Sequence, residues 1–180
     1  RDGERIGTRI FVDRLLDPYT PEHKPVEKLR ATFDEEIFTP DYDPVKNPWH
    51  TIEGAFWFQK GEWQYLMYSG GCYQDDTYHI GYATAKTTEA DLTKVEFTKH
   101  TENGKFAPVI IKNEFEEGTG HHSVLFHDGE WYAFYHGREP HDLSGSAKYG
   151  EAYEEKRTAR ICRLIIEDGK IKAERYEDHI

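Results

Sequence analysis

Glu53 stands in the run Thr51-Ile52-Glu53-Gly54-Ala55-Phe56-Trp57. A carboxyl beside glycine and among aromatic rings is partly removed from water, and that favours its protonated form. Such an acid can protonate a departing glycosidic oxygen if a second carboxylate acts across the bond. A solvent-facing Glu at a strand start is the bland alternative. His121 and His122 follow Gly118-Thr119-Gly120. Adjacent strand residues point to opposite faces, so both cannot easily bind one ion. A histidine-only metal site with His127 and His136 is disfavoured for that reason, and one inward histidine in a polar pore fits better. Arg138, in His136-Gly137-Arg138-Glu139, offers a forked donor for vicinal sugar hydroxyls or a surface pair with Glu139. Trp49, Tyr73 and Tyr78 could supply stacking faces, and Asp75 or Asp76 a second carboxylate, although core and loop roles would account for them too.

The elements that must position these groups read as strands. Residues 6–12 alternate polar and apolar side chains between Gly and Asp. Residues 16–47, rich in Pro, Asp and Lys, are expected to be mostly loop, with one short strand near 29–33. A hairpin is expected at 53–59 and 63–68, turning at Lys60-Gly61-Glu62, with a third strand at 78–85. One helical turn over 87–92 and an outer strand over 94–100 would complete the unit. The pattern then restarts at 121–127, turns at Asp128-Gly129-Glu130 and continues at 131–136, with a further hairpin at 158–167 and 169–173. Gly61-Glu62-Trp63 and Gly129-Glu130-Trp131 lie 68 residues apart, an offset that sets Glu53 opposite His121. A repeated four-stranded unit is the mark of a propeller blade, although two copies also suit a sandwich.

Composition narrows the function classes. The formal net charge of −11 argues against nucleic acid and anionic membranes as partners, since both select clustered Lys and Arg. No apolar run approaches the length needed to span a bilayer. Cys72 and Cys162 are too few for a disulfide framework or a cysteine metal site, and read as free buried thiols. Aromatic residues make up 14% of the chain, which suits many short strands or a sugar-binding cleft. The chain does not begin with Met and shows no signal peptide; its compartment is not legible.

Taken in order, Glu53-Gly54 with Gly61 and Tyr68-Ser69, then Gly120-His121-His122-Ser123-Val124, then Tyr135-His136-Gly137-Arg138, resemble glycoside hydrolase family 43. Residues 7–13 look like the close of the preceding blade, and 159–164 with Asp168-Gly169 like the family's last blade, so the resemblance covers nearly the whole chain. It implies an all-β, five-bladed β-propeller of which residues 1–180 supply the last two to three blades, the C-terminal part of one catalytic domain. It also implies inverting hydrolysis of α-L-arabinofuranosyl or β-D-xylosyl linkages, with Glu53 as the general acid. Arg138, His121, Trp49 and Tyr73 would bind substrate. No cofactor is required, and a structural calcium ion at the propeller centre would involve His121 indirectly. Ala55 stands where the family often shows Pro, a minor departure.

The family's base Asp and its second, tuning Asp belong ahead of Arg1, and Asp2 and Asp13 do not match their surroundings. The resemblance therefore implies a partner, the N-terminal remainder of the same domain, as a separate chain, a cleaved piece or an absent segment. A carbohydrate-binding propeller without catalysis is one alternative. A related β-fructosidase is another, although those relatives usually place Cys where Gly54 stands.

Overall fold

The computed structural model describes residues 5–38, 49–140 and 157–175. Part of the expected 16–47 loop, together with Asp2, lies outside those residues. Two four-stranded antiparallel sheets dominate. The first runs from Ile52–Lys60 through Trp63–Gly70 and His79–Lys86 to Thr98–Lys99. The second runs from Glu117–His127 through Glu130–Arg138 and Thr158–Glu167 to Lys170–Glu174. Ahead of them, Arg9–Val12 pairs antiparallel with Val26–Arg30, and Ile6–Gly7 pairs parallel with Trp49–His50.

Hydrophobic burial stacks these sheets face to face. Phe58, Tyr65, Met67, Ile80 and Tyr82 of the first meet Ala133, Tyr135, Cys162, Leu164 and Ile166 of the second in one core. On the first sheet's other face, Leu66, Tyr68 and Ala83 pack with Ile10, Leu29 and Ala31. Strand periodicity of two explains the division, since Tyr65 and Met67 point one way and Leu66 and Tyr68 the other. Polar ties reinforce the stack: Lys60 Nζ donates to the Ile166 carbonyl at 2.5 Å, and the Ile171 amide donates to Tyr82 Oη at 3.2 Å.

The expected outer strand shrinks to Thr98–Lys99, and the expected helical turn becomes a short 3-10 helix at Leu92–Lys94. Asp91 fixes that start, because its Oδ1 accepts from the Thr93 amide at 3.2 Å. The strand expected near 29–33 forms instead at Val26–Arg30, where Arg9–Val12 supplies its partner. A short hairpin, Leu15–Asp17 with Thr20–Pro21, occupies part of the expected loop.

The repeat offset also changes. In the first sheet the pairing register slips by one residue between Glu53 and Phe56; in the second it slips between Glu117 and Gly120 and again between Gly120 and Ser123. Each slip carries a residue in the left-handed region, Gly54 (φ 57°) in the first sheet and Gly118 (φ 59°) and His121 (φ 50°) in the second, and the His121 slip is the counterpart of the one at Gly54. The last paired residues before the turns are Lys60 and His127. Bulges and turns therefore agree on an offset of 67 (127 minus 60), which sets Glu53 opposite Gly120 and Gly54 opposite His121. The shared Gly-Glu-Trp string enters the two turns one residue out of step. Gly61 (φ 61°) is the first turn residue of its hairpin, whereas Asp128 and Gly129 (φ 49° and 86°) form a two-residue turn with both φ positive.

Candidate active site

The Glu53 carboxyl lies at the start of the first strand of the first sheet, immediately before the bulge, and is partly buried. Tyr78 Oη donates to Glu53 Oε1 at 2.7 Å. Burial, then the bond to Glu53 and its charge, push the Tyr78 phenol far above its ordinary range, so it stays protonated and remains a donor. Ser69 sits directly across the strand pair from Glu53. Its Oγ accepts from the His121 amide at 2.7 Å.

The second sheet supplies the rest. His121 is exposed, and its ring lies 3.5 Å from where a Cβ on Gly54 would stand. A non-glycine residue in the left-handed region costs of order 1 kcal/mol. Here that conformation aims the His121 amide at Ser69. The His136 ring stacks on Tyr78 with centroids 5.6 Å apart and planes 15° from parallel. Burial first, then the positive charges of Arg157 and Arg138, hold His136 down to about 4, so it is neutral near pH 7. Arg157 Nη1 lies 3.3 Å from His136 Nε2, and the same guanidinium covers the Tyr73 ring at 5.3 Å.

The sequence-predicted residues thus fall into one connected region, but not in their expected postures. Arg138 is neither a surface residue nor paired with Glu139. Its side chain is wholly buried, with Nε donating to Glu117 Oε1 and Nη1 to the Tyr73 carbonyl, both at 3.3 Å. Glu139 pairs instead with Arg160 at 2.6 Å. The remaining nitrogen, Nη2, is buried without a partner among the described residues. Tyr78 is 1% exposed and cannot serve as a sugar-stacking platform. Tyr73 is half-buried, and Trp49 is 41% exposed on the short parallel pair.

Asp75 accepts from the Thr77 amide at 2.8 Å and so stabilises its own turn, and Asp76 forms an ion pair with Lys112. Asp13 Oδ1 accepts from the Lys24 amide at 3.2 Å. Cys72 and Cys162 are free and buried, each thiol pushed up to about 12 chiefly by burial. Among the described residues no group of three or more His, Cys, Asp or Glu side chains is arranged to hold a metal ion.

Glu117 was missed from the sequence, and Ser69 and His136 were read only as members of motifs or of a disfavoured metal site. Ser69 lies in the motif Tyr68-Ser69 but has no marked chemistry of its own. Glu36 was missed as well. It is fully buried, accepts from the Thr32 and Phe33 amides at 2.7 and 3.1 Å, and pairs with Lys99. Its backbone carbonyl accepts from the Thr51 amide at 2.8 Å, which anchors the approach to Glu53.

Stacked four-stranded sheets whose bulged first strands meet at a carboxyl define a blade pair of a β-propeller. The chain matches the model of glycosyl hydrolases family 43 over residues 6–171 and belongs to that family. The fold is accordingly that of a five-bladed propeller, of which the chain supplies two complete blades and part of a third. Its structure is similar to a thermostable family-43 glycoside hydrolase (27% identity, TM-score 0.65), covering 92% of this chain and 46% of that one. It also resembles an α-L-arabinofuranosidase from Lactobacillus brevis (21% identity, TM-score 0.68; 92% and 46% covered). A third likeness is an exo-1,5-α-L-arabinanase from a bovine ruminal metagenomic library (20% identity, TM-score 0.64; 95% and 50% covered). The chain spans about half the length of these proteins. No curated protein matches it.

Proposed function

We propose that this chain forms the acid-bearing part of a glycoside hydrolase, cleaving α-L-arabinofuranosyl or β-D-xylosyl linkages with inversion. The observation that carries the reading is the Glu53 carboxyl, partly buried beside a bulge and held through one oxygen by Tyr78. That bond leaves Oε2 to carry the proton. Glu53 protonates the glycosidic oxygen as the bond breaks, and an Asp from the remainder of the domain activates water on the opposite face of the sugar. Tyr73 and Trp49 supply the aromatic faces that suit a pentose. His121 lies beside the acid and borders the same sugar. Any sugar contact by Arg138 falls to Nη2, its remaining nitrogen. No step uses a cation.

The test is hydrolysis of aryl α-L-arabinofuranoside and aryl β-D-xyloside, with the base-bearing segment supplied, beside Glu53→Gln. A positioned general acid contributes roughly 10²–10⁴-fold, so the variant should lose about that much. The loss should shrink for a dinitrophenyl leaving group, which departs with little protonation. Full activity in Glu53→Gln would overturn the assignment. Binding without turnover in the complemented protein would favour the carbohydrate-binding alternative.

A further inference from the structure

We propose a second carbohydrate-binding site on the second sheet, a cleft that takes one neutral sugar ring and is separate from the Glu53 site. The cleft, about 250 Å³, lies between Phe115, Glu116, Tyr135, Glu139, Arg160 and Arg175. Nothing in the proposed hydrolysis uses it. Asn113 closes a tight turn at its edge. The Asn113 Oδ1 accepts from the amides of Phe115 and Glu116, both at 2.9 Å, and its own amide donates to the Glu116 carbonyl at 2.9 Å. That turn buries Glu116 and leaves its neighbour Phe115 40% exposed.

The polar groups of the cleft hold one another in place. Glu116 Oε1 accepts from Tyr135 Oη at 2.7 Å and from Arg175 Nη1 at 2.9 Å, while Oε2 lies 3.6 Å from Arg160 Nε. Arg160 Nη2 donates to Glu139 Oε1 at 2.6 Å. Planar groups fixed in this way lose little further freedom when a ligand arrives. They also keep capacity to spare: among the described residues, Arg175 Nη2, Arg160 Nη1 and Glu139 Oε2 have no partner. The class of ligand follows from sign. Two carboxylates and two guanidinium groups sum to zero, so an anion gains no net attraction and meets two like charges. A sugar hydroxyl both donates and accepts, and vicinal hydroxyls suit fixed donors and acceptors lying side by side. The exposed Phe115 ring gives the apolar face of the sugar a surface to lie against. Tyr135, which lines the cleft, and His136, which stacks on Tyr78 beside Glu53, are successive residues of one strand and point to opposite sides. A glycan can thus occupy the cleft independently of the acid.

The experiment is an amide-detected NMR titration of the full chain with xylotriose and with α-L-arabinotriose, and with trigalacturonate as the anionic control. It needs no turnover. At millimolar concentration a neutral trisaccharide should shift the amides of residues 113–116 and 159–161 to saturation, and trigalacturonate should leave them in place. Phe115→Ala removes an exposed ring and should weaken binding at the cleft about tenfold, the worth of one aromatic contact. Glu139→Gln, at another exposed position, should weaken it by less and serves if Phe115→Ala fails to fold. Shifts at residues 53–57 report the acid's site separately, and neither variant should change them. No saturable shift at the cleft with either neutral sugar would overturn the proposal. So would full affinity in both variants, or tighter binding of trigalacturonate than of the neutral sugars. Saturation at the cleft in a protein that hydrolyses nothing would sink the hydrolase reading and leave this site standing.

Discussion

In Trp63–Gly70 of the first sheet, Tyr65 and Met67 are buried on one face, and Leu66 and Tyr68 on the other. In Glu130–Arg138, the matching strand of the second sheet, Ala133 and Tyr135 are buried, but Phe134 between them is 42% exposed. Ile161, paired with Phe134, is 46% exposed. The first sheet is therefore enclosed between two layers, and among the described residues the second has a layer on one face only. A strand buried on both faces loses its polar–apolar alternation and reads as a continuous apolar run, as residues 65–68 do. Where one face stays open, its apolar residues mark what a further layer would cover. The carboxyl site sits on the enclosed sheet, where its supports are held most firmly.

The largest expected effect separates these two environments. Met67 is fully buried between the sheets. Met67→Ala removes most of its side chain from a site that cannot collapse fully, and should cost about 2–5 kcal/mol. Urea denaturation at pH 7 reads this as a lowered midpoint with the slope preserved. A loss below about 1 kcal/mol would mean that the enclosed interface is far looser than its burial indicates.

The same contrast explains how much was legible in the sequence. Both central hairpins could be placed because Gly61 and Asp128-Gly129 carry backbone conformations that few other residues adopt, and their flanking strands are long. Their repetition left propeller and sandwich open, and the resemblance of the ordered motifs to the family decided for the propeller. The register did not, because an identical Gly-Glu-Trp string occupies different turn positions, and local identity outweighed the bulges at Gly54 and His121. Glu53 stood out by residue type and its glycine neighbour. Tyr78 did not stand out as its partner, because a donor 25 residues away becomes a neighbour only through sheet pairing. Arg138 was legible as important but misjudged in posture, since nothing local announces that Glu117 lies under it.

The next effect is acid-sensitive and belongs to the enclosed interface. His122 is buried beside Phe56, with centroids 6.2 Å apart, and neither ring nitrogen has a partner among the described residues. Burial, with a smaller effect of His121, lowers its pKa from 6.5 to about 4. The folded state thus resists protonation that the unfolded chain accepts. Stability from this group is complete above about pH 6.5 and is lost as pH falls from there toward 4. By pH 5 the loss is about 2 kcal/mol. His122→Leu should flatten that limb of the stability profile while leaving pH 7 stability equal or slightly higher, because two unbonded polar atoms are removed. Denaturation midpoints at pH 7 and pH 5 for both proteins measure it. An unchanged slope would place the acid sensitivity in His79, whose pKa is also held at about 4 by burial.

The smallest effect tests the open face. Ile161 leaves nearly half its surface in solvent, so Ile161→Thr gives up little burial and keeps the β-branched shape that a strand prefers. Its cost should stay within about 0.5 kcal/mol, as for ordinary surface positions. What it should change is association: Leu125, Phe134 and Ile161 present exposed apolar surface on neighbouring strands, and such surface is a site of self-association. Sedimentation velocity at rising concentration should therefore show less aggregate in Ile161→Thr than in the parent chain, at nearly equal denaturation midpoints. A cost matching that of Met67→Ala would erase the distinction between the two sheets. It would mean that the Ile161 side of the second sheet is as enclosed in solution as the first, and that the asymmetry on which the stack is argued does not exist.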